Sequence, residues 1–284
     1  MTVSYFGQPP LEKTLAQMTC DLVAAERIKL VSAHKTTHRD IANFYGLSVE
    51  QIHSQQNQDG MLVEDRIILN TGGRGEERMN FTFYHEVTHH LIRTNDDLLS
   101  LIHEVPGDVD TMIERLCNIG SAAFLVPPDE LDPFLAENGF SVTAIPPLCE
   151  KYKASGLVVA FQMINHARHD CYLVVGTPTT TVVEELPLMP RAEIPARSRV
   201  VLSVLYSAAS PRAKYSIARE TVIPHEHLIY SAYNEASHVK GPSFIPFRGG
   251  NRMPAECDAL FFRNNIYAFL NVTLPLSPQQ LSLF

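Results

Sequence analysis

The segment Met79–Arg93, MNFTFYHEVTHHLIR, carries the residues best suited to chemistry: His85, Glu86 and His89, in the pattern H-E-x-x-H. In a helix, residues four apart differ by about 40° around the axis, so the two imidazoles stand one turn apart on one face. Two neutral imidazoles so placed can bind one Zn²⁺, and Glu86 beside them can take a proton from a nearby water. Phe81, Phe83, Val87, Leu91 and Ile92 surround the motif, so the helix is expected to be buried. Two histidines and a glutamate in a buried helix need a partner, and a metal ion is the simplest one. The competing reading is a half-exposed helix with three solvated polar residues. Because the pattern also arises by chance, a third ligand decides between the two.

The candidate third ligand lies in Asp110–Leu125, DTMIERLCNIGSAAFL, where Ile113, Leu116, Ile119 and Ala123 fit a helix stopped by Val126-Pro127-Pro128. Glu114 follows His89 by 25 residues. A carboxylate arriving from a second helix would complete a two-His, one-Glu set and leave a fourth position open for water. The alternative is an exposed glutamate paired with Arg115 or a lysine. Asn118, one turn beyond Glu114, faces the same way and could orient a ligand from behind. Tyr84 and His103 are candidate transition-state donors, each with a purely structural alternative. His90 points about 100° from His89 and is not a ligand.

Several elements must position these residues. Leu11, Leu15, Met18, Leu22 and Ala25 form one apolar stripe of a helix over 11–31, opened by Gln8-Pro9-Pro10. Arg39–Ile52 imitates a DNA-binding helix-turn-helix, yet Ile52-His53-Ser54-Gln55-Gln56 makes no basic recognition surface. It reads as a helix ending at Gly46, then a strand over Leu47–Ser54. Asn57-Gln58-Asp59-Gly60 is turn chemistry, and Met61–Asn70 a hairpin-like return whose last strand, Arg66–Asn70, runs into the motif helix. That strand is expected to offer a free edge to a substrate peptide. The polar, acidic stretch Asn95–Asp110 reads as a loop.

Further on, Ser141–Ile164 reads as helix, turn and helix, its second helix (Leu157–Ile164) almost wholly apolar. Base edges in the major groove need Arg, Asn or Gln, so this helix is expected to serve packing or a protein partner. From about residue 166 the rhythm changes to strands: Cys171–Gly176, Thr180–Glu184, Arg199–Tyr206, Lys214–Ala218 and Ile266–Val272. His225 and His227 are expected to lie in a surface loop. The turns around Phe244, Phe247, Arg248 and Arg252 are either a ligand or partner site or a packed loop.

With 284 residues the chain has room for two or three domains, and its 45% hydrophobic and 19% charged composition is that of a globular protein. A net charge of −8 without a long basic run argues against a primary nucleic-acid binder. Five scattered cysteines without C-x-x-C read as reduced thiols. The opening MTVSYFGQPPLEKTL has no basic and apolar signal regions, and no apolar run approaches a membrane span. A cytoplasmic protein with no membrane association is expected.

Arg78–His89, then Glu114-x-x-Cys117-Asn118, Ala122–Pro127 and, far downstream, Phe244–Arg248 together resemble the ImmA/IrrE family of intracellular metallopeptidases. The resemblance covers most of the chain. It implies an α+β protein of three units: a gluzincin-like zinc-peptidase domain (1–127), a helix-turn-helix-like helical segment (128–165) and a GAF-like sensor domain (166–284). It further implies that His85, His89 and Glu114 hold Zn²⁺, with Mn²⁺ an alternative in the cell, and that Glu86 is the general base. The implied substrate is a helix-turn-helix repressor of the XRE type (DdrO-like), whose cleavage derepresses DNA-damage and desiccation genes. The GAF-like domain is a candidate for a small-molecule ligand, and direct DNA binding is not expected. The alternative is a non-catalytic, metal-stabilised regulator that binds a repressor or DNA without cutting it.

Overall fold

The computed structural model describes residues 10–55, 58–182 and 198–273. Gln8, Pro9, Asn57, Val183 and Glu184, which carry part of the expectations drawn from the sequence, lie outside them. The architecture is α+β, and the described residues fall in two compact units, one within 10–140 and 144–166, the other within 141–143 and 167–273. No helix among the described residues is long and apolar enough to cross a membrane.

The first unit opens with α1 (Pro10–Ser32) and α2 (His38–Phe44). The buried side of α1 is Leu15, Thr19, Val23, Glu26 and Leu30, rotated from the expected stripe, and Ala25 is exposed. Two polar residues explain the shift. Thr19 Oγ1 bonds its own helix at Leu15 O (2.9 Å), and Glu26 is held by Lys29 (2.6 Å) and the Tyr45 hydroxyl (3.2 Å), so both can be buried. Thr37 caps α2 by accepting from the Asp40 N–H, and the chain turns at Gly46, whose φ of +73° favours glycine.

The strands β1 (Ser48–Ile52), β2 (Gly60–Val63) and β3 (Arg66–Asn70) form a sheet in the order β1-β3-β2. β1 pairs with β3 in parallel and β2 with β3 antiparallel. The strand that leads into the motif helix is therefore central, and the expected free edge is not there. It belongs to β2 on that side of the sheet. The reversal arises because β1, delivered by α2, takes up the second side of β3.

Next come α3 (Glu76–Arg93), α4 (Asp96–Glu104) and α5 (Val109–Leu125). α3 has Glu76 and Glu77 in its first turn and Arg93 in its last, as its dipole favours. Phe83, Val87 and Leu91 pack with Val23, Leu30, Ile41, Ile67 and Leu69 in one core. Where a loop is expected from the sequence, α4 is capped by Asn95, which accepts from the Leu98 N–H (2.9 Å), and buries Leu98 and Ile102 one turn apart. The acidic Asp96 and Asp97 that suggest a loop are first-turn residues of a helix. The unit closes with α6 (Pro128–Asn138), α7 (Ile145–Tyr152) and α8 (Gly156–Asn165). α8 is capped by Ser155, and Val159, Ala160, Met163 and Ile164 are fully buried, so its apolar run is packing.

The second unit is a five-stranded antiparallel sheet of β4 (Cys171–Val182), β5 (Ser198–Ala209), β6 (His238–Pro246), β7 (Arg252–Phe262) and β8 (Asn265–Val272), ordered β5-β4-β8-β7-β6. α9 (Leu228–Glu235) packs on it through Ile229, Tyr230 and Ala232. The two short strands expected over 171–184 are one long strand across the Gly176-Thr177-Pro178 stretch, and the expected strand Lys214–Ala218 is irregular. β6 and β7 form a hairpin where the sequence suggests turns. Three of the residues singled out there have structural partners: Phe247 packs edge-on against Tyr172 and Tyr215, and Arg252 pairs with Glu226 and lies over the Phe244 ring. His227 is not at the surface. It is buried as the N-cap of α9, its Nδ1 accepting from Ile229 N–H (3.1 Å) and its Nε2 donating to Phe244 O (2.7 Å). His225 stacks on Tyr230.

Candidate metal centre

Steps of about 100° per residue put His85 and His89 on the side of α3 opposite its Phe83–Val87–Leu91 stripe. There they meet α5. Glu114, Cys117, Asn118 and Ser121 recur at helical spacing and form one polar strip of α5. Ser121 Oγ donates to Phe81 O at 2.7 Å, and Asn118 hydrogen-bonds the His85 ring. The helices come close because Gly120 has no side chain: a Cβ there would lie 2.5 Å from Thr88 Cγ2.

The carboxylate of Glu114 spans the two imidazoles, with Oε2 3.3 Å from His85 Nε2 and Oε1 3.1 Å from His89 Nε2. The ring centroids of His85 and His89 are 4.9 Å apart. Burial holds both imidazoles below their ordinary pKa, and for His89 the neighbouring His85 adds to this. Neutral imidazole is the form that donates to a metal. Among the described residues the buried Nδ1 of His89 has no hydrogen-bond partner, while its Nε2 faces Glu114. Two imidazoles spanned by a carboxylate, with the Cys117 thiol within 4.8 Å of one nitrogen of each ring, are donors of the kind that hold a divalent ion such as Zn²⁺.

Glu86 is buried beside this set. Burial, then the charge of Glu114, push its carboxyl up to about 7, against an opposing hydrogen bond from the main chain of Leu62. The source of that bond follows from the register of β2. Asn70 N–H donates to Asp59 O (2.8 Å), and Gly60 lies opposite Leu69 and Leu62 opposite Ile67. By the alternation of an antiparallel ladder, Gly60 and Leu62 turn their main-chain groups away from β3, to the free edge. Gly60 also admits Thr82 of α3, which a Cβ would strike. The edge of β2 is thus held against the motif helix at Glu86.

The structure therefore brings together His85, Glu86, His89, Glu114 and Asn118. It does not bring Tyr84 or His103 to them. Tyr84 stacks on Phe124 (4.9 Å) at the core, and His103 is exposed at the end of α4. His90 turns to Tyr45, away from Glu114. Two contributors are not among the residues expected from the sequence. Cys117 is legible as part of the Glu114–Ser121 spacing, but Leu62 acts through its main chain and leaves no mark in residue type.

No family model matches the chain. Two curated relatives do. The radiation response metalloprotease IrrE of Deinococcus deserti is 29% identical over 236 residues, covering 82% of this chain and 80% of that protein. Its counterpart in Deinococcus radiodurans is 28% identical over 227 residues, covering 79% of this chain and 69% of that protein. The chain is similar to IrrE. The similarity runs well past the H-E-x-x-H helix. Among solved structures, a Mycobacterium tuberculosis transcriptional regulator superposes with a TM-score of 0.54 over 93% of this chain and 82% of that one. At 12% identity this likeness concerns the fold alone.

Proposed function

We propose that this chain is a metal-dependent endopeptidase of the radiation response, and that its substrate is a helix-turn-helix repressor of the XRE type. The observation that carries the proposal is the convergence of His85, His89 and Glu114 around one point, with Glu86 alongside and bound to the edge strand β2. The names of the two IrrE relatives support proteolysis and the radiation response. The repressor as substrate rests on the family resemblance, as does a GAF-like sensor role for the second unit.

Zn²⁺ or Mn²⁺ held by His85, His89 and Glu114 would supply a Lewis acid for the scissile carbonyl. Glu86 takes the proton of the attacking water and hands it to the leaving amine. A carboxyl poised near neutral pH suits both halves of that transfer. Asn118 fixes the ring of His85. The edge of β2, where Gly60 presents its N–H and C=O and Leu62 its C=O, accepts the substrate as an added strand. An extended segment of the repressor, rather than a folded helix, is therefore the part that is cut.

The test is to incubate the purified full chain with the XRE-type repressor of the same genome, with Zn²⁺ or Mn²⁺, with chelator, and as Glu86→Gln. We expect metal-dependent cleavage that falls by about 10²–10⁴-fold in the variant, which still binds metal. Wild-type cleavage by Glu86→Gln refutes the base assignment. Tight binding without cleavage in every arm makes the protein a sequestering regulator instead.

A further inference from the structure

One donor at the centre has no part in this mechanism. The Cys117 thiol lies with one ring nitrogen each of His85 and His89 in a group whose atoms are all within 4.8 Å of one another. It is fully buried and makes no hydrogen bond among the described residues. It projects from the same strip of α5 as Glu114, one turn along. In a tetrahedral zinc site with ordinary bond lengths, nitrogen and sulfur donors sit about 3.5 Å apart. The observed spread is within about 1.3 Å of that, the scale of a side-chain adjustment.

We propose that Cys117 is a fourth protein donor to the metal in the resting enzyme, closing the position that hydrolysis requires and favouring zinc over manganese. The inference rests on the metal site of the proposed function. On coordination the S–H bond breaks, a sulfur–metal bond forms and the proton passes to solvent; no electrons are exchanged. Four protein donors make a closed site, whereas catalysis needs one position free for water, so the thiol must be reprotonated and released before turnover. A thiolate also suits zinc and disfavours manganese, which prefers oxygen donors.

Cobalt(II) reports sulfur ligation directly, through a charge-transfer band in the near ultraviolet beside its visible ligand-field bands. The full chain, Cys117→Ser and Cys117→Ala are stripped of metal and titrated with Co²⁺, and then with Zn²⁺ and Mn²⁺ against a chromophoric chelator. We expect the charge-transfer band in the wild-type chain and its loss in both variants. Zinc affinity should fall by about 10- to 100-fold in the variants, while manganese affinity changes by less than about threefold. Ligand-field bands without a charge-transfer band in the wild-type chain overturn the role of Cys117 and leave the metal site standing. Absence of Co²⁺ and Zn²⁺ binding by the wild-type chain overturns the metal site itself. The wild-type spectrum needs no variant, so a misfolded substitution does not blunt the test.

Discussion

Gly120 sets the distance between the two helices that carry the candidate metal donors, and Gly120→Ala should loosen the candidate centre without touching any of those donors. The new Cβ would lie 2.5 Å from Thr88 Cγ2 and 2.8 Å from Thr88 Oγ1, where ordinary contact begins at 3.4 Å. Thr88 is fully buried and its hydroxyl bonds Tyr84 O at 2.7 Å, so it has no free direction in which to move. The helices must then part by up to about 0.9 Å, the shortfall from ordinary contact. Ligand distances tolerate only about 0.2 Å, so Glu114 can no longer serve both imidazoles. The expected result is a loss of about 10- to 100-fold in zinc affinity, read by chelator competition. Overpacking should also cost about 1–3 kcal/mol of stability, read from urea midpoints. Thr88→Ala removes both clashing atoms, so the double variant should recover most of the affinity, a non-additive result. If Gly120→Ala binds zinc and unfolds as the wild type does, α3 and α5 are not locked at this contact and the reasoning fails.

Other perturbations probe the supports of the fold. Asn70 is buried, accepts at Oδ1 from the N–H groups of Ser54 and Gly72 (both 3.0 Å) and donates to Gln58 O (2.9 Å), tying the ends of β1 and β3 to the turn before α3. Asn70→Ala should cost about 2–3 kcal/mol in thermal or urea unfolding. A wild-type midpoint for the variant would count against it. In the second unit, burial holds His227 below its ordinary pKa of 6.5. The unfolded chain therefore takes up a proton near that pH while the folded chain does not, so stability is full above it and is lost as pH falls through it. Replacing His227 with Asn, which can still cap α9, should flatten the fall in urea midpoint between about pH 7.5 and about pH 5.5. An unchanged slope would show that His227 does not titrate on unfolding.

Local chemistry makes much of this protein legible in its sequence. The spacing of His85 and His89 requires one helical face, Pro127 and Pro128 stop α5, Gly46 ends the second helix in a left-handed turn, and the apolar run of α8 points to packing. These follow from backbone geometry and residue type, which act over a few positions. The departures have a different source. The stripe of α1 is rotated because Thr19 and Glu26 are buried through partners on their own helix and at Tyr45. Asp96 and Asp97 suggest solvent until a helix terminus is seen to want them. Lys214–Ala218 alternates like a strand, but its main chain meets side chains, Tyr215 N–H the Tyr172 hydroxyl and Ile217 O the Ser207 hydroxyl, and no neighbouring strand among the described residues.

The candidate centre divides in the same way. His85, Glu86 and His89 come from spacing alone, whereas the placing of the Glu114 carboxylate across both imidazoles is seen only when α5 packs on α3. The free edge depends on which strand lies outermost, a property of sheet order that β3 by itself does not carry. Tertiary structure alone decides that β2, through the main chain of Leu62, reaches Glu86, because a main-chain N–H is the same in every residue but proline.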